Sequence, residues 1–309
     1  MKSLYMYLED TMATPGNTMG MGNPMPPTDA TVGSEPLVGS LVTAKCKKEK
    51  CKKSKKIREG LLDRIKNKEV NHDALIKEFL EANYNIYGGY TIDTSEFPFK
   101  VSTTGKVFAK IGIPNITNGL FVFDKVKVFE ITYNDNITSL EGAPRECDDF
   151  VCNGCKSLTS LKGAPEKVKG MFWCVECDSL TSLEGAPREC SDFNCQLCDS
   201  LTSLEGAPEK VKGDFYCGDC KSLKTLEGAP KKCKCFDCNN CKSLTSLKGV
   251  PERVNTLCCQ FNASLKALDY LPKKITNAIY CYGCASNFDK KDIMSRVEGV
   301  KKIHTEFKI

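Results

Sequence analysis

Hydrophobic and polar positions recur with a fixed period between residues 137 and 284. Each repeat reads Phe-x-Cys-x-x-Cys-(Lys/Asp)-Ser-Leu-(Thr/Lys)-(Ser/Thr)-Leu-(Glu/Lys)-Gly-(Ala/Val)-Pro, with small variations. A period of 21 or 22 residues is typical of a solenoid, in which each coil buries its apolar side against its neighbours. The pattern predicts seven coils over residues 134–284, marked by the prolines Pro144, Pro165, Pro187, Pro208, Pro230, Pro251 and Pro272.

Side-chain alternation along the strand of each coil separates inward from outward positions. The Phe and the two Cys recur and are predicted to face inward, whereas the positions between them vary and are predicted to face outward. Aromatic, amide and acidic groups on a rigid sheet make a plausible binding surface, although ordinary solvated strand positions are the alternative. The predicted site on the concave strand face comprises Trp173, Asn194, Tyr216, Asp237, Tyr280 and Tyr282.

The flanking segments lack this period. Asn71 is a good N-cap for a helix with an apolar face, and Gly88-Gly89 is predicted to end that helical part. Alternating β-branched and aromatic residues then predict strands that cap the solenoid. The predicted divisions are a disordered tag and linker (1–44), a basic segment (45–58), two short helices (59–89), an N-terminal β cap (90–133), the solenoid (134–284) and a C-terminal cap of one helix and one strand (285–309).

The repeat resembles the leucine-rich repeat. Phe215-x-Cys217-x-x-Cys220 matches the Leu-x-Leu-x-x-Asn part of that family, and Leu223 and Leu226 match the leucines that follow. The resemblance implies a mainly β solenoid with a parallel sheet on its concave face, and it is most similar to the short coils of tailed-bacteriophage and bacterial proteins. Cysteine replaces the family's Asn in most coils, but Asn262 retains it, so the cysteine is expected to fill the Asn role.

The paired cysteines allow three interpretations. Cys-x-x-Cys is a metal half-site, and neighbouring coils would place two half-sites about 4.8 Å apart. Disulfides between coils are a second possibility. The third is buried free thiols, which the alternation of Cys with Val at a neighbouring position favours. No cofactor is predicted on this basis, and the candidate metal ligands are Cys174, Cys177, Cys195 and Cys198.

Charge is distributed unevenly along the chain. Residues 1–43 sum to −3, residues 44–58 sum to +8, and the remainder sums to zero out of the total of +5. The solenoid is therefore not predicted to be a basic groove, and an electrostatic partner such as DNA or another polyanion is assigned to the basic segment. The candidate contacts there are Lys47, Lys48, Lys52, Lys53, Lys55 and Lys56.

The amino terminus, MKSLYMYLED, resembles the short peptides that address internal proteins to the heads of tailed phages. It does not have the form of a secretory signal, and no segment approaches the ~20 apolar residues of a membrane span. These features predict a location in the host cytoplasm or the virion interior, without a membrane partner.

Catalytic chemistry finds little support in the sequence. No Ser/His/Asp set, phosphate loop or His-rich metal motif is present. The expected function is therefore a non-enzymatic protein-interaction module encoded by a bacteriophage. The alternatives are a structural metal-binding repeat protein and a nucleic-acid-associated internal virion protein.

Overall fold

The computed structural model describes residues 71–306, apart from Pro114 and Asn118. The chain divides into two compact units, residues 1–79 and 80–309. Three predicted segments lie outside the described residues: the tag and linker (1–44), the basic segment (45–58) and the first predicted helix, near residues 59–66.

Helix α1 spans His72–Asn83 and begins where the sequence predicted. The backbone N–H of Ala74 donates to Asn71 Oδ1 at 3.1 Å, which is the expected N-cap bond. The helix ends earlier than Gly88-Gly89, because Tyr84–Tyr87 form strand β1 instead of continuing it. The antiparallel pairing of β1 with a later strand satisfies its backbone groups.

The rest of the described chain is almost entirely β structure, with one further helix, α2 (Lys290–Arg296). The strands are β2 (Tyr90–Asp93), β3 (Phe99–Thr103), β4 (Lys106–Ala109), β5 (Phe121–Phe123), β6 (Lys125–Glu130), β7 (Glu146–Val151), β8 (Lys167–Val168), β9 (Met171–Trp173), β10 (Glu189–Cys190), β11 (Asp192–Asn194), β12 (Lys210–Val211), β13 (Phe215–Tyr216), β14 (Cys235–Asp237), β15 (Arg253–Cys258), β16 (Lys274–Tyr280) and β17 (Lys302–His304).

Unit 80–309 is a β-solenoid of about ten coils, each of about 21 residues. Its main sheet runs in the order β1-β4-β6-β7-β9-β11-β13-β14-β15-β16-β17, and every pair along it except β1–β4 is parallel. Strands β4 and β6 at one end and β17 at the other lie outside the predicted range 134–284. The sheet is therefore longer than the seven recognisable repeats.

Two smaller sheets accompany the main one. Strands β2, β3 and β5 form a three-stranded sheet within the predicted N-terminal cap, in which β2–β3 is antiparallel and β3–β5 is parallel. Strands β10 and β12 pair in parallel where the chain enters two of the coils. The predicted C-terminal cap contains the expected helix and strand, α2 and β17.

A stack of phenylalanine rings fills the interior along the strands. Neighbouring ring centroids lie 5.2–5.8 Å apart with interplanar angles of 6–23°, and each side chain is fully buried. Leucines of the return arm are equally buried, so each coil contributes to one continuous core along the stack. The stacked rings belong to Phe129, Phe150, Phe172, Phe193, Phe215 and Phe236.

The two 22-residue coils absorb their extra residue at a glycine, Gly170 in one and Gly213 in the other. In each case an aspartate of the preceding coil accepts a backbone N–H beside the insertion. Asp149 Oδ1 accepts from Met171 N at 2.8 Å, and Asp192 Oδ1 accepts from Asp214 N at 2.8 Å. A Cβ on either glycine would collide with that carboxylate. These outward acids are therefore structural.

The return arms of the first six recognisable coils turn at a glycine with positive φ, as at Gly228 with φ of 96°, whereas Tyr270 holds this position in the seventh coil. A Cβ at this position would also collide with the backbone of Leu204 and Glu205 in the preceding coil. Both the backbone conformation and the contact between coils therefore require glycine here.

We expect Gly228→Ala to lower the free energy of unfolding by at least about 2 kcal/mol, because left-handed backbone strain and a backbone collision add together. Urea unfolding followed by circular dichroism measures the loss. The control is Gly89→Ala, since a Cβ there meets nothing within 4 Å and should change stability little. Equal stability of the two variants would contradict this account of the turn.

Candidate functional site

The outward positions of successive strands form one row on the main sheet. Trp173 is in register with Asn194, Asn194 with Tyr216, and Tyr216 with Asp237. Through Cys258 the row continues to Tyr280, and all of these side chains are half-buried. We call this row, together with the outward positions on either side of it, the outer sheet face. Its predicted binding residues are Trp173, Asn194, Tyr216, Asp237, Tyr280 and Tyr282.

Several polar side chains of the outer sheet face already bind the protein itself. Asn194 Oδ1 accepts from the backbone N–H of Gln196 at 2.9 Å, and Asp237 Oδ1 accepts from that of Asn239 at 3.0 Å. The Tyr216 hydroxyl donates to Asp214 Oδ2 at 3.0 Å. These bonds hold the side chains in place and help to end the strands. Burial raises the pKa of Asp237.

The aromatic members of this face differ in their surroundings. Tyr280 stacks on His304, with ring centroids 4.5 Å apart and an interplanar angle of 5°. Tyr282 meets Phe261 edge-on at 5.2 Å. Trp173 has a buried indole Nε1 without a hydrogen-bond partner. A buried N–H left in this state costs about 1–3 kcal/mol, which a ligand acceptor would recover.

Two amide oxygens beside this row also lack partners: Asn239 Oδ1 and Gln260 Oε1, both buried. Each lies two residues after the row position of its coil, where the alternation of side chains predicts an outward side chain. Only the structure shows that these oxygens have no partner. The face thus combines one unpaired donor with two unpaired acceptors. A ligand with amide-like groups could pair with them after small side-chain shifts.

Two half-exposed thiols, Cys235 and Cys258, also belong to the outer sheet face. They lie on adjacent parallel strands, two positions apart in register, because Cys235 is paired with Thr256. A hydrogen bond with the Cys235 side chain, together with burial, raises the pKa of Cys258. Sequence reasoning assigned Cys258 to the outward row but missed its pairing with Cys235.

The second cysteine of each pair performs the structural role expected of asparagine. Cys220 Sγ donates to the Cys195 carbonyl at 3.2 Å and accepts from the backbone N–H of Cys198. Asn262 does the same at the equivalent position two coils further along: Nδ2 donates to the Cys238 carbonyl at 3.0 Å and Oδ1 accepts from Cys241 N at 2.8 Å. One thiol group therefore makes both hydrogen bonds, for which Asn262 uses its amide nitrogen and its amide oxygen.

These bonds are needed because the strand ends in a sharp turn. The residue just before the second Cys has a positive φ in each recognisable coil, as at Glu176 (60°) and Leu197 (59°). This conformation leaves a carbonyl and an N–H of the strand end without partners in their own coil. The side chain from the next coil supplies both partners.

The four candidate metal ligands take part in the same pattern. Cys174 and Cys195, the first cysteines of their pairs, are buried. Cys177 and Cys198, the second cysteines, donate to backbone carbonyls at 3.2 Å and 3.1 Å. A donating thiol is protonated, whereas a metal ligand must be a thiolate. Among the residues that the structure describes, all eighteen cysteines are free and no group of three or more His, Cys, Asp or Glu is placed to hold a metal ion.

The six lysines predicted to contact a polyanion, Lys47, Lys48, Lys52, Lys53, Lys55 and Lys56, lie outside the described residues. No helix within 71–306 is both long and apolar enough to cross a bilayer. No protein-family model, no curated protein and no solved structure matches this chain.

We expect Asn262→Cys to be tolerated better than Asn262→Ala. The thiol can still donate to the Cys238 carbonyl and accept from Cys241 N, as its counterparts do in other coils. Alanine leaves those buried groups unpaired, which should cost at least about 2 kcal/mol more than the cysteine variant. Chemical denaturation of both variants under reducing conditions measures the difference, and an alanine variant as stable as the cysteine variant would refute the two-way role.

The buried thiols should make stability sensitive to alkaline pH. Burial raises the pKa of both Cys147 and Cys190 to about 12. Unfolded thiols ionise near pH 8.5, whereas the folded ones keep their protons. The stability linked to these groups is therefore complete below about pH 8.5. It falls by about 1.4 kcal/mol per pH unit for each thiol as the pH rises toward 12.

A matched variant isolates this effect. Cys147, Cys190 and Cys233 occupy a buried column in which neighbouring coils carry Val168, Val211 and Val254. Replacing the three cysteines with valine should preserve the fold and reduce the alkaline slope by roughly 4 kcal/mol per pH unit. Urea unfolding from pH 8 to 11, with a reductant present, measures both slopes. Identical slopes would show that these thiols do not carry the linkage.

Proposed function

We propose that this chain is a non-enzymatic interaction protein that binds a protein ligand on the outer sheet face. The observation that carries the proposal is the contrast between the two sides of one sheet. Inward positions repeat Phe and Cys in coil after coil, whereas the outward row changes chemistry at each step. Packing dictates the first set and leaves the second free for recognition.

The unpaired polar atoms of the outer sheet face support this proposal. Trp173 offers an indole donor, while Asn239 and Gln260 offer amide oxygens, and each lacks a partner in the described chain. Backbone amides of an extended ligand segment have the complementary donors and acceptors. Half-buried aromatic rings beside them supply the apolar contacts that dominate binding energy in protein interfaces.

The resemblance to cysteine-containing leucine-rich coils of tailed phages and bacteria extends the proposal to origin and place. We infer a phage-encoded protein, associated with the virion or acting in the host cytoplasm. The resemblance of MKSLYMYLED to head-targeting peptides supports the virion. A structural metal-binding role is the weaker alternative, because the paired thiols are engaged as hydrogen-bond donors to backbone carbonyls.

The test is the double variant Trp173→Ala/Tyr216→Ala. It should melt close to the parent protein, because both side chains are outward and the only bond lost is that between Tyr216 and Asp214. It should lose at least tenfold in affinity for a ligand captured by the parent protein and identified by mass spectrometry, as expected for aromatic anchors.

A control double variant, Tyr133→Ala/Tyr270→Ala, removes two aromatic side chains that are each 59% exposed and lie outside the outer sheet face. It should bind as the parent does. If the control loses the ligand and the Trp173/Tyr216 variant keeps it, the ligand binds elsewhere and the proposal fails.

A further inference from the structure

The flank of the solenoid just after each proline carries a regular charge pattern in its first four coils. The residue directly after the proline is basic in one coil and acidic in the next. The residue that follows it alternates from coil to coil in the opposite order. Ion pairs between coils result, such as Arg188–Glu209 at 3.1 Å. Glu189 pairs instead with Lys212, which lies two residues beyond these positions, at 3.8 Å. The residues of these four coils are Arg145, Glu146, Glu166, Lys167, Arg188, Glu189, Glu209 and Lys210.

The alternation at the second position breaks at the fifth coil, whereas the first position continues to alternate through Lys231, Glu252 and Lys273. Lys231 and Lys232 are both basic, and Arg253 in the sixth coil lies beside Lys232 in a parallel bridge. The second position after the proline is therefore occupied by a basic residue in four successive coils: Lys210, Lys232, Arg253 and Lys274. Like charges facing each other on adjacent strands are unfavourable, so the stability of the fold does not explain the row.

The pattern changes the charge of the grooves between coils. One groove, of about 880 Å³, is lined by three acidic and three basic side chains and is neutral. The next groove, of about 1120 Å³, is lined by two acids and six bases. We call this second surface the basic flank, and its bases are Lys210, Lys212, Lys231, Lys232, Lys234 and Arg253.

The acids of the basic flank do not neutralise it. Glu209 pairs with Arg188 and Glu252 pairs with Lys273, both of which lie outside the groove lining. Within the part of the chain that the structure describes, Lys231, Lys232, Lys234 and Arg253 make no side-chain ion pair. The zero net charge of residues 59–309 thus conceals a local excess of positive charge on the basic flank. The sequence alone predicted a polyanion contact only in the basic segment.

The lining also indicates the kind of polyanion. Its apolar members are small, namely Ala207, Val211, Gly228, Ala229 and Cys233. A protein ligand would find no aromatic or large apolar anchor there, and nucleic-acid bases would find no stacking platform. A ligand that presents closely spaced, permanently charged oxygens requires neither, and the Arg253 guanidinium suits bidentate contact with a phosphate.

We propose that the basic flank binds the phosphodiester backbone of a nucleic acid without reading its base sequence. The row of bases follows the solenoid axis at one coil per step, about 4.8 Å, so the strand would run along the axis and across the coils. This site is separate from the outer sheet face and from the basic segment 45–58.

The experiment uses full-length protein in which the basic segment is neutralised, so that only the flank can respond. That background carries all eight lysines of the segment changed to Gln, which leaves only Arg58 against Glu49; they are Lys45, Lys47, Lys48, Lys50, Lys52, Lys53, Lys55 and Lys56. Binding of a fluorescein-labelled 20-nucleotide oligothymidylate and of a 20-base-pair duplex is followed by anisotropy from 25 to 200 mM salt. Two oligonucleotides of unrelated sequence should bind equally well.

In this background, Lys232→Ala/Arg253→Ala should weaken binding and lower the slope of log affinity against log salt by roughly 1.4 for the single strand and 1.8 for the duplex. The control, Lys167→Ala/Lys224→Ala, removes the same charge from exposed lysines outside the basic flank and should leave the slope unchanged. Melting temperatures check that both variants fold.

Three results would overturn the inference. The background protein could fail to bind either nucleic acid at 25 mM salt. The two double variants could weaken binding equally, which would indicate only a net-charge effect. Polyglutamate of matched charge could compete as well as unlabelled oligonucleotide, which would assign the flank to acidic peptides and not to a phosphodiester backbone.

Discussion

The solenoid depends on one recurring hydrogen-bonding constraint at the end of each strand. The chain turns there through a residue with positive φ, and the turn leaves a carbonyl and an N–H that their own coil cannot satisfy. A single side chain from the next coil bonds both groups. Because every coil needs this partner from its neighbour, the coils are stable only as a stack.

Cysteine and asparagine both meet this constraint, for different physical reasons. The amide of Asn262 has a dedicated donor and a dedicated acceptor, whereas a thiol such as that of Cys220 uses one sulfur atom for both. Sulfur bonds are weaker, but a thiol is smaller and less costly to bury. In a column flanked by stacked Phe rings, the smaller and less polar group suits the interior. Burial raises the pKa of thiols such as that of Cys220, which links the hydrogen-bonding scheme to the stability of the protein at high pH.

A rigid interior leaves two different surfaces free to vary. The outer sheet face alternates aromatic, amide and acidic groups, and its free polar atoms suit a ligand with amide-like groups. The basic flank has small apolar residues and unpaired bases, which suit a polyanion. They occupy different positions of the same coil, one beside the Phe column and the other just after the proline. The residues of the two proposed sites do not overlap, so each site can be altered by its own substitutions.

Outward acids of the sheet show why surface chemistry alone is a poor guide to function. Asp149 and Asp192 lie beside the candidate site, yet each accepts a backbone N–H at a coil that contains one extra residue. Gly170 and Gly213 provide the space for those carboxylates. The aspartate in one coil and the glycine in the next thus form a structural pair, and neither supports a claim about ligand binding.

The architecture of the recognisable coils follows from the order of residues alone. The 21- or 22-residue period required stacking, side-chain alternation separated the buried Phe and Cys columns from the outward row, and Asn71 marked the start of α1. These features are local or strictly periodic, so they can be recognised in the linear sequence.

Other features became visible in the folded structure. It extended the sheet to β4, β6 and β17, whose coils lack the repeat signature, because strand pairing is satisfied by backbone groups that any sequence provides. It made residues 84–87 a strand, because pairing with β4 outweighs the local helical pattern. It also showed which thiol bonds which carbonyl and which lysines lack a carboxylate. Those facts depend on contacts between residues more than twenty positions apart, and the local sequence does not specify them.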